Sequence, residues 1–373
     1  MMAGSEQPTA DVVISTYDLA TGALYEKLMK RQFDVLVLDE AHKLKNKSTN
    51  RTIGVFGEAT DRRDGLASKA AHVYPLSGTP APNHPGELWP TLRALFPQAI
   101  MRENGTPMPA SAFVDRYCKT KFSPFGGIQI VGAKNKAELR DRLKPYFLRR
   151  RFADVYPDAA GIEVQQLFVD AQSNLDDLRE LEKSDVCADL MRLVQREDVS
   201  AEVRRQALKE IDEKIGMRLR RLTGMAKAPG VVAWAKEYLE DRKKLVLFGH
   251  HTEVLDALCD GLAKYKPLRV SGGVSGKARA EAEHLFQTDP SRRVFVGNLI
   301  SAGEGIDLSV ADDVVLVESD WVPGTNEQAV RRIVNFAKKR ENIAWFATLA
   351  KSIDEQIQRT NTQKTADLLA IFN

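Results

Sequence analysis

Leu36-Val-Leu-Asp-Glu-Ala-His42 sets two adjacent carboxylates, Asp39 and Glu40, directly behind an apolar run. A continuous apolar run of this length reads as a strand buried on both faces of a parallel sheet. The acidic pair then falls at the strand's carboxyl edge, where α/β folds bind their ligands. Two such carboxylates suit metal-assisted hydrolysis. One of them, Asp39, holds Mg²⁺, usually through water, and Glu40 orients or deprotonates the attacking water. His42 sits beside the phosphate end. The plainer alternative is an acidic pair at a helix N-terminus facing solvent. The strand in front, and a second motif, Leu76-Ser-Gly-Thr-Pro80, tip the balance towards chemistry.

The elements that must position these residues alternate between strand and helix. Asp11–Ser15 is a β-branched run, Tyr17–Arg31 has helical spacing, and Phe33–Leu38 is the strand before the acidic pair. Val73–Leu76 leads into the Gly-Pro turn, and a helix follows from about Glu87 to Phe96. From Pro97 to about Gly161 the pattern loosens and ends in the basic cluster Arg149-Arg150-Arg151. Leu175 to Leu222 carries helical stripes, with Ser200 as an N-cap, and these read as helix–helix core. A second α/β unit begins near Lys244, with strands at Leu245–Phe248, Leu268–Val270, Arg293–Val296, Val314–Val317 and Ile343–Leu349. The expected fold is α/β, two parallel-sheet units joined by a helical middle.

Composition narrows the classes. In 373 residues, 54 Lys and Arg against 51 Asp and Glu give a net charge of +3, which excludes a histone-like tail and an acidic disordered chain. The longest apolar candidate for a membrane span, Ile343–Ala350, stops far short of the ~18 residues one needs. No secretory signal precedes the first strand. Three scattered cysteines form neither a disulfide framework nor a metal site, so a reducing compartment, cytoplasmic or nuclear, is expected.

Taken in order, the motifs resemble those of the SWI/SNF-type helicase-like ATPases of helicase superfamily two. Asp39-Glu-Ala-His42 resembles motif II, and Leu76-Ser-Gly-Thr-Pro-Ala-Pro-Asn83 with Glu87-Leu-Trp89 resembles motif III. Phe147-Leu-Arg-Arg150 with Asp154-Val155 follows. Lys244-Leu-Val-Leu-Phe-Gly-His-His251 is similar to motif IV in the annealing-helicase branch. Gly303-Glu-Gly-Ile-Asp-Leu308 resembles motif V, and Trp321-Val-Pro323 with Gln328 and Arg332 resembles motif VI. The resemblance implies two RecA-like lobes that clamp ATP and Mg²⁺ and move on double-stranded or forked DNA. It implies that Ser77 and Thr79 sense the γ-phosphate and that Gly303 and Gly305 allow close backbone approach. It also implies that Asp307 meets the ribose, with Gln328 beside the nucleotide, and that Arg332 acts as an arginine finger. Without that frame, Arg332 reads as part of a solvated helix face. The basic residues Lys43, Lys45, Lys47, Arg149 and Arg150 are candidates for phosphate contacts, or simply solvated. The implied boundaries are 1–97 for the first lobe, 98–240 for an extension and helical region, and 241–373 for the second lobe.

Two departures qualify the resemblance. No G-x-x-x-x-G-K-[ST] phosphate loop occurs, and only 38 residues precede Asp39. Ser271-Gly-Gly-Val-Ser-Gly-Lys-Ala278 imitates one, but Ser271 and Ala278 stand where Gly and a hydroxyl are required. The chain is therefore expected to begin inside the first lobe, and to need a P-loop from upstream or from a separate polypeptide. After Arg332 the family pattern expects another Arg, and Asn335 stands there, with Ala337 and Lys338 in place of Gly and Gln. An arginine finger is worth about 10³–10⁵ in rate, roughly 4–7 kcal/mol, which Asn335 does not supply. The first expectation is an ATP-dependent DNA translocase incomplete on its own. The second is a non-catalytic DNA- or partner-binding remnant. A nuclease using Asp39 and Glu40 is a distant third.

Overall fold

The computed structural model describes residues 10–58, 65–122, 128–150, 162–170, 217–301, 305–334 and 341–349, with scattered positions from 352 to 371. The chain divides into two compact units, residues 1–120, 130–149 and 366–373 in one and residues 121–129 and 150–365 in the other. The fold is α/β with parallel sheets.

In the first unit, β1 (Phe33–Leu38) and β2 (Ala70–Pro75) pair in parallel, with Phe33 opposite Ala70 and Leu38 opposite Pro75. Leu38 packs with Ala41, Leu44, Val55 and Phe56. The opposite face departs from the sequence expectation of burial on both sides. Val35 and Val37 are 49% and 53% exposed, and Tyr74 and Leu76 are each 51% exposed. The reason is that only two strands form this sheet among the described residues, and no layer covers that face. Asp11–Ser15 forms no strand, and Ile14 is 93% exposed. The helical spacing of 17–31 resolves into two short helices, α1 (Tyr17–Ala20) and α2 (Tyr25–Leu28), because Thr21 caps the first and Gly22 interrupts the run.

The rest of the first unit is helical: α3 (Asn50–Phe56), α4 (Trp89–Leu95), α5 (Ala110–Tyr117) and α6 (Lys136–Leu143). Its second core gathers Leu88, Trp89, Leu92, Ile100, Phe113 and Tyr117. The Trp89 indole satisfies its one donor on Met108 O at 2.8 Å, as a buried indole must. The short strands β3 (Cys118–Phe122) and β4 (Ile128–Ala133) make a separate two-stranded sheet.

The second unit holds a six-stranded parallel sheet in the order β5-β10-β9-β6-β8-β7. The strands are β5 (Ile162–Val169), β6 (Leu245–Gly249), β7 (Leu268–Val270), β8 (Val294–Asn298), β9 (Asp313–Leu316) and β10 (Asn342–Leu349). Five match the apolar runs read from the sequence; β5 does not. All of β6 and β9 are buried, as strands covered on both faces are. One cover is α7 (Met217–Asp241) with α8 (Thr252–Gly261), which bury Val231, Leu239, Val254, Leu255 and Leu258 against the sheet. The other face packs Phe286 of α9 (Gly276–Thr288) and Ala329 and Val330 of α10 (Pro323–Arg331). The helical stripes expected from 175 lie outside the described residues, apart from 217 onward.

Candidate functional site

The acidic pair emerges from β1 as its position demands. After Leu38 the chain turns sharply, and Glu40 takes the left-handed conformation, φ 49° and ψ 49°. A residue with a Cβ enters that region at a cost, and such residues cluster where a function holds them. Two main-chain bonds fix the turn to the segment behind β2: Leu76 N donates to Leu38 O at 2.9 Å, and Ala41 N to Leu76 O at 2.8 Å. These bonds bring the two motifs into register. His42 Nδ1 lies 3.0 Å from Ser77 Oγ and 3.1 Å from Glu40 Oε2. Ser77 Oγ also accepts from Thr79 N at 3.1 Å. Thr79 Oγ1 is buried and has no hydrogen-bond partner among the described residues.

Tyr17 supports the pair from below, donating to Asp39 O at 2.8 Å. Burial, and then the charge of Asp39, push its phenol up to about 12, so it remains a donor at neutral pH. The Asp39 carboxylate itself is exposed and accepts from Glu40 N at 3.0 Å. Two carboxylates and an orphaned hydroxyl are hard oxygen donors of the kind Mg²⁺ and its water shell require. The metal side of the site therefore fits. The sequence G-x-x-x-x-G-K-[ST], whose backbone N–H groups would cradle phosphates, does not occur in the 373 residues.

Motif III is anchored by Glu87, which is 9% exposed. Its carboxylate accepts Asn83 N at 2.8 Å and Asn83 Nδ2 at 2.9 Å, and pairs with Lys45 Nζ at 3.2 Å. Lys47 Nζ lies over the Trp89 ring at 5.9 Å. Two of the basic residues considered for DNA thus have partners inside the first unit. Arg149 and Arg150 are exposed.

In the second unit the motif residues meet behind β8. Gly305 has φ 69°, which its lack of a Cβ permits. Asp307 is exposed; its Oδ1 accepts Ser309 N at 2.9 Å, its backbone N donates to Glu283 Oε1 at 3.1 Å, and its carbonyl accepts Gln287 Nε2 at 3.0 Å. Leu308 N donates to Arg332 O at 3.0 Å, joining the two motifs by main chain. Gln328 and Arg332 are half-buried, on and just past α10. Gly303, Asn335, Ala337 and Lys338 lie outside the described residues. The Walker-like Ser271–Ala278 follows β7, the sheet's edge strand, and Ser275 merely N-caps α9 by accepting Ala278 N at 3.3 Å.

Sequence reasoning passed over the carboxylates that hold this unit's carboxyl edge. Glu318, 3% exposed, accepts His250 N at 2.7 Å and His251 N at 2.9 Å through Oε2, and meets His251 Nδ1 at 2.6 Å through Oε1. Burial alone would raise its pKa, but the His251 side chain and the two amides outweigh that and hold it below the usual carboxylate range. Asp320 pairs with His250 Nε2 at 3.3 Å and accepts Val322 N at 2.8 Å. It is likewise depressed against its own burial. Arg220 donates to Ser319 O at 2.8 Å, and Asn361 and Lys364 donate to Asp320 O and Trp321 O, each at 2.8 Å. The segment leading into α10 is thereby held from several sides. The available signal was a pair of acids, Glu318 and Asp320, ending an apolar strand just before Trp321-Val-Pro323.

Parallel-sheet units carrying an acidic pair, a Ser/Thr turn and a glycine loop at strand carboxyl ends define the helicase-like ATPase class. A sequence model of the SNF2-related domain matches residues 2–178, and one of the helicase conserved C-terminal domain matches residues 231–337. The chain belongs to the SNF2-type helicase-like ATPases of superfamily two, a family that uses ATP with Mg²⁺. It is 28% identical over 368 residues to the SWI/SNF-related matrix-associated actin-dependent regulator of chromatin subfamily A-like protein 1 of Drosophila melanogaster, covering 97% of this chain and 45% of that protein. It is 28% identical over 333 residues to the human DNA annealing helicase and endonuclease ZRANB3, covering 87% and 28%. The chain thus spans less than half the length of these relatives. The Sulfolobus solfataricus SWI2/SNF2 ATPase core in complex with dsDNA aligns over 96% of this chain and 73% of that one, with 19% identity and a TM-score of 0.43. No helix among the described residues is long and apolar enough to cross a membrane.

Proposed function

We propose that this chain is the motor portion of an ATP-dependent translocase on double-stranded or forked DNA, and that it needs a P-loop segment not contained in these 373 residues. Asp39 would hold Mg²⁺, which would supply charge stabilisation to the transferring phosphate, Glu40 would orient the attacking water, and His42 with Ser77 and Thr79 would respond to the γ-phosphate. In the second unit Gly303, Gly305, Asp307, Gln328 and Arg332 serve the nucleotide. The observation that supports this reading is the cluster at the ends of β1 and β2, where His42 meets both Ser77 and Glu40 beside Asp39, with Glu40 in a left-handed turn.

The test is to supply the P-loop, either as the coding sequence upstream or as a co-expressed polypeptide carrying G-x-x-x-x-G-K-[ST] after a strand. DNA-stimulated ATPase activity is then expected, and it is abolished by Asp39→Ala or Glu40→Gln. Hydrolysis at comparable rates by the 373 residues alone would refute the requirement for a second segment. The other reading, a non-catalytic DNA- or partner-binding remnant, is favoured by Asn335 where the family pattern has Arg. It predicts salt-sensitive duplex binding that nucleotide does not change, even with the P-loop supplied.

A further inference from the structure

At the amino-terminal edge of the six-stranded sheet, away from the glycine loop and α10, the second unit has a recess of about 330 Å³. Its walls are Trp234 and Tyr238 on the last turns of α7 and Trp345 on β10. Trp234 stacks on Tyr238 with ring centroids 4.9 Å apart and meets Trp345 nearly edge-on at 5.2 Å. Glu237, Asp241 and Asp313 line it with carboxylates, against the single guanidinium of Arg242. Asp313 is spoken for, accepting Tyr238 OH at 2.6 Å and Ile343 N at 2.8 Å, and this fixes the phenol ring in the wall. Glu237 and Asp241 are exposed.

We propose that this recess binds an organic cation of the alkylammonium or guanidinium class. Three features act in one direction. The π faces carry negative quadrupoles and attract a cation within about 6 Å. The carboxyl end of α7 adds the negative end of its dipole at this spot. Three carboxylates outnumber one guanidinium, so a phosphate or a nucleic-acid backbone is repelled, and a neutral ligand would strip water from the acids with no return. The volume lies at the small end of ligand pockets, matching one side chain or one small polyamine rather than a folded surface. The site is separate from the nucleotide residues, and its occupancy does not depend on the ATPase reading.

The chain as it stands is enough for the experiment. The four tryptophan indole N–H resonances are followed by NMR during titration with tetramethylammonium, spermidine and a short Arg/Lys peptide. A neutral isostere, 3,3-dimethylbutanol, serves as control. A saturable shift of the Trp234 and Trp345 signals is expected with the cations and not with the alcohol. Glu237→Gln with Asp241→Asn, both on the surface and harmless to folding, weakens binding about tenfold, as removal of two exposed charges should. A peptide that binds at least tenfold more tightly than spermidine assigns the site to a partner's side chain, and the reverse order assigns it to a free cation. Absence of a saturable shift, an equal response to the alcohol, or unchanged affinity in the double variant overturns the proposal.

Discussion

Removing the Glu318 carboxylate should destabilise the second unit strongly. Glu318→Ala leaves the His250 and His251 amides and the His251 ring without their acceptor, in a niche where the side chain is 3% exposed. Bonds to a charged group contribute about 1.5–3 kcal/mol each, but they are not additive. Leaving buried donors without their acceptor costs about 1–3 kcal/mol each, so a loss of about 3 kcal/mol or more is expected. Glu318→Gln keeps an oxygen for the two amides and should lose only about 1–2 kcal/mol, a neutral bond replacing a charged one. The pH dependence separates charge from shape. A carboxyl whose folded-state pKa is depressed stabilises fully above its unfolded value, about 4.3, and loses that contribution as pH falls through the lower folded value. Wild-type stability should therefore drop as pH falls below about 4.3, and the Gln variant should drop less, keeping the shares of the other depressed carboxyls, Asp320 and Asp289 in this unit and Glu138 in the first. Urea unfolding across this pH range, with hydrogen exchange at the His250 and His251 amides, measures both. A Glu318→Ala protein within about 1 kcal/mol of wild type, with those amides still protected, would refute the reasoning.

Three further outcomes are expected. Lys227, fully buried, pairs with Asp354 at 2.8 Å and donates to Ala347 O at 3.1 Å; Asp354→Ala should cost about 3–5 kcal/mol, while Lys227→Met with Asp354→Leu should lose only about 1–3 kcal/mol, since the Leu349 amide that Asp354 accepts at 3.0 Å is left without an acceptor, and a double-mutant cycle by urea unfolding reads the coupling. Glu40→Gly should stabilise the first unit by about 1 kcal/mol, by relieving the left-handed backbone, in thermal unfolding, yet abolish hydrolysis once a P-loop is supplied. Gly224→Ala should destabilise by about 1–3 kcal/mol despite better helix propensity, because a Cβ there would stand 2.7 Å from Glu318 Oε1 and 2.9 Å from Val254 Cγ2, and calorimetry checks it.

What could be read from the sequence followed from what kind of signal each element carries. The five strands of the second unit that were found are apolar runs, and β6 and β9 are buried throughout. Strand β5, Ile-Glu-Val-Gln-Gln-Leu-Phe-Val, is polar at three of eight positions because it lies at the sheet's edge. Its parallel partner β10 is also far along the chain, and no local pattern announces such a pairing. Asp11–Ser15 shows the converse error: β-branched composition without a neighbouring strand does not make a ladder. Asp39 and Glu40 were legible because an apolar run delivers them to an edge. Glu318 was not, since its partners His250 and His251 are contributed from the end of another strand.

The link between Leu308 and Arg332 has an evolutionary consequence. It is made by an amide and a carbonyl, so every residue type at 332, and every type but proline at 308, can supply it. The scaffold under these two motifs is therefore indifferent to which side chains they display. Side chains displayed on these two motifs can therefore change charge or size without unseating the main-chain link beneath them.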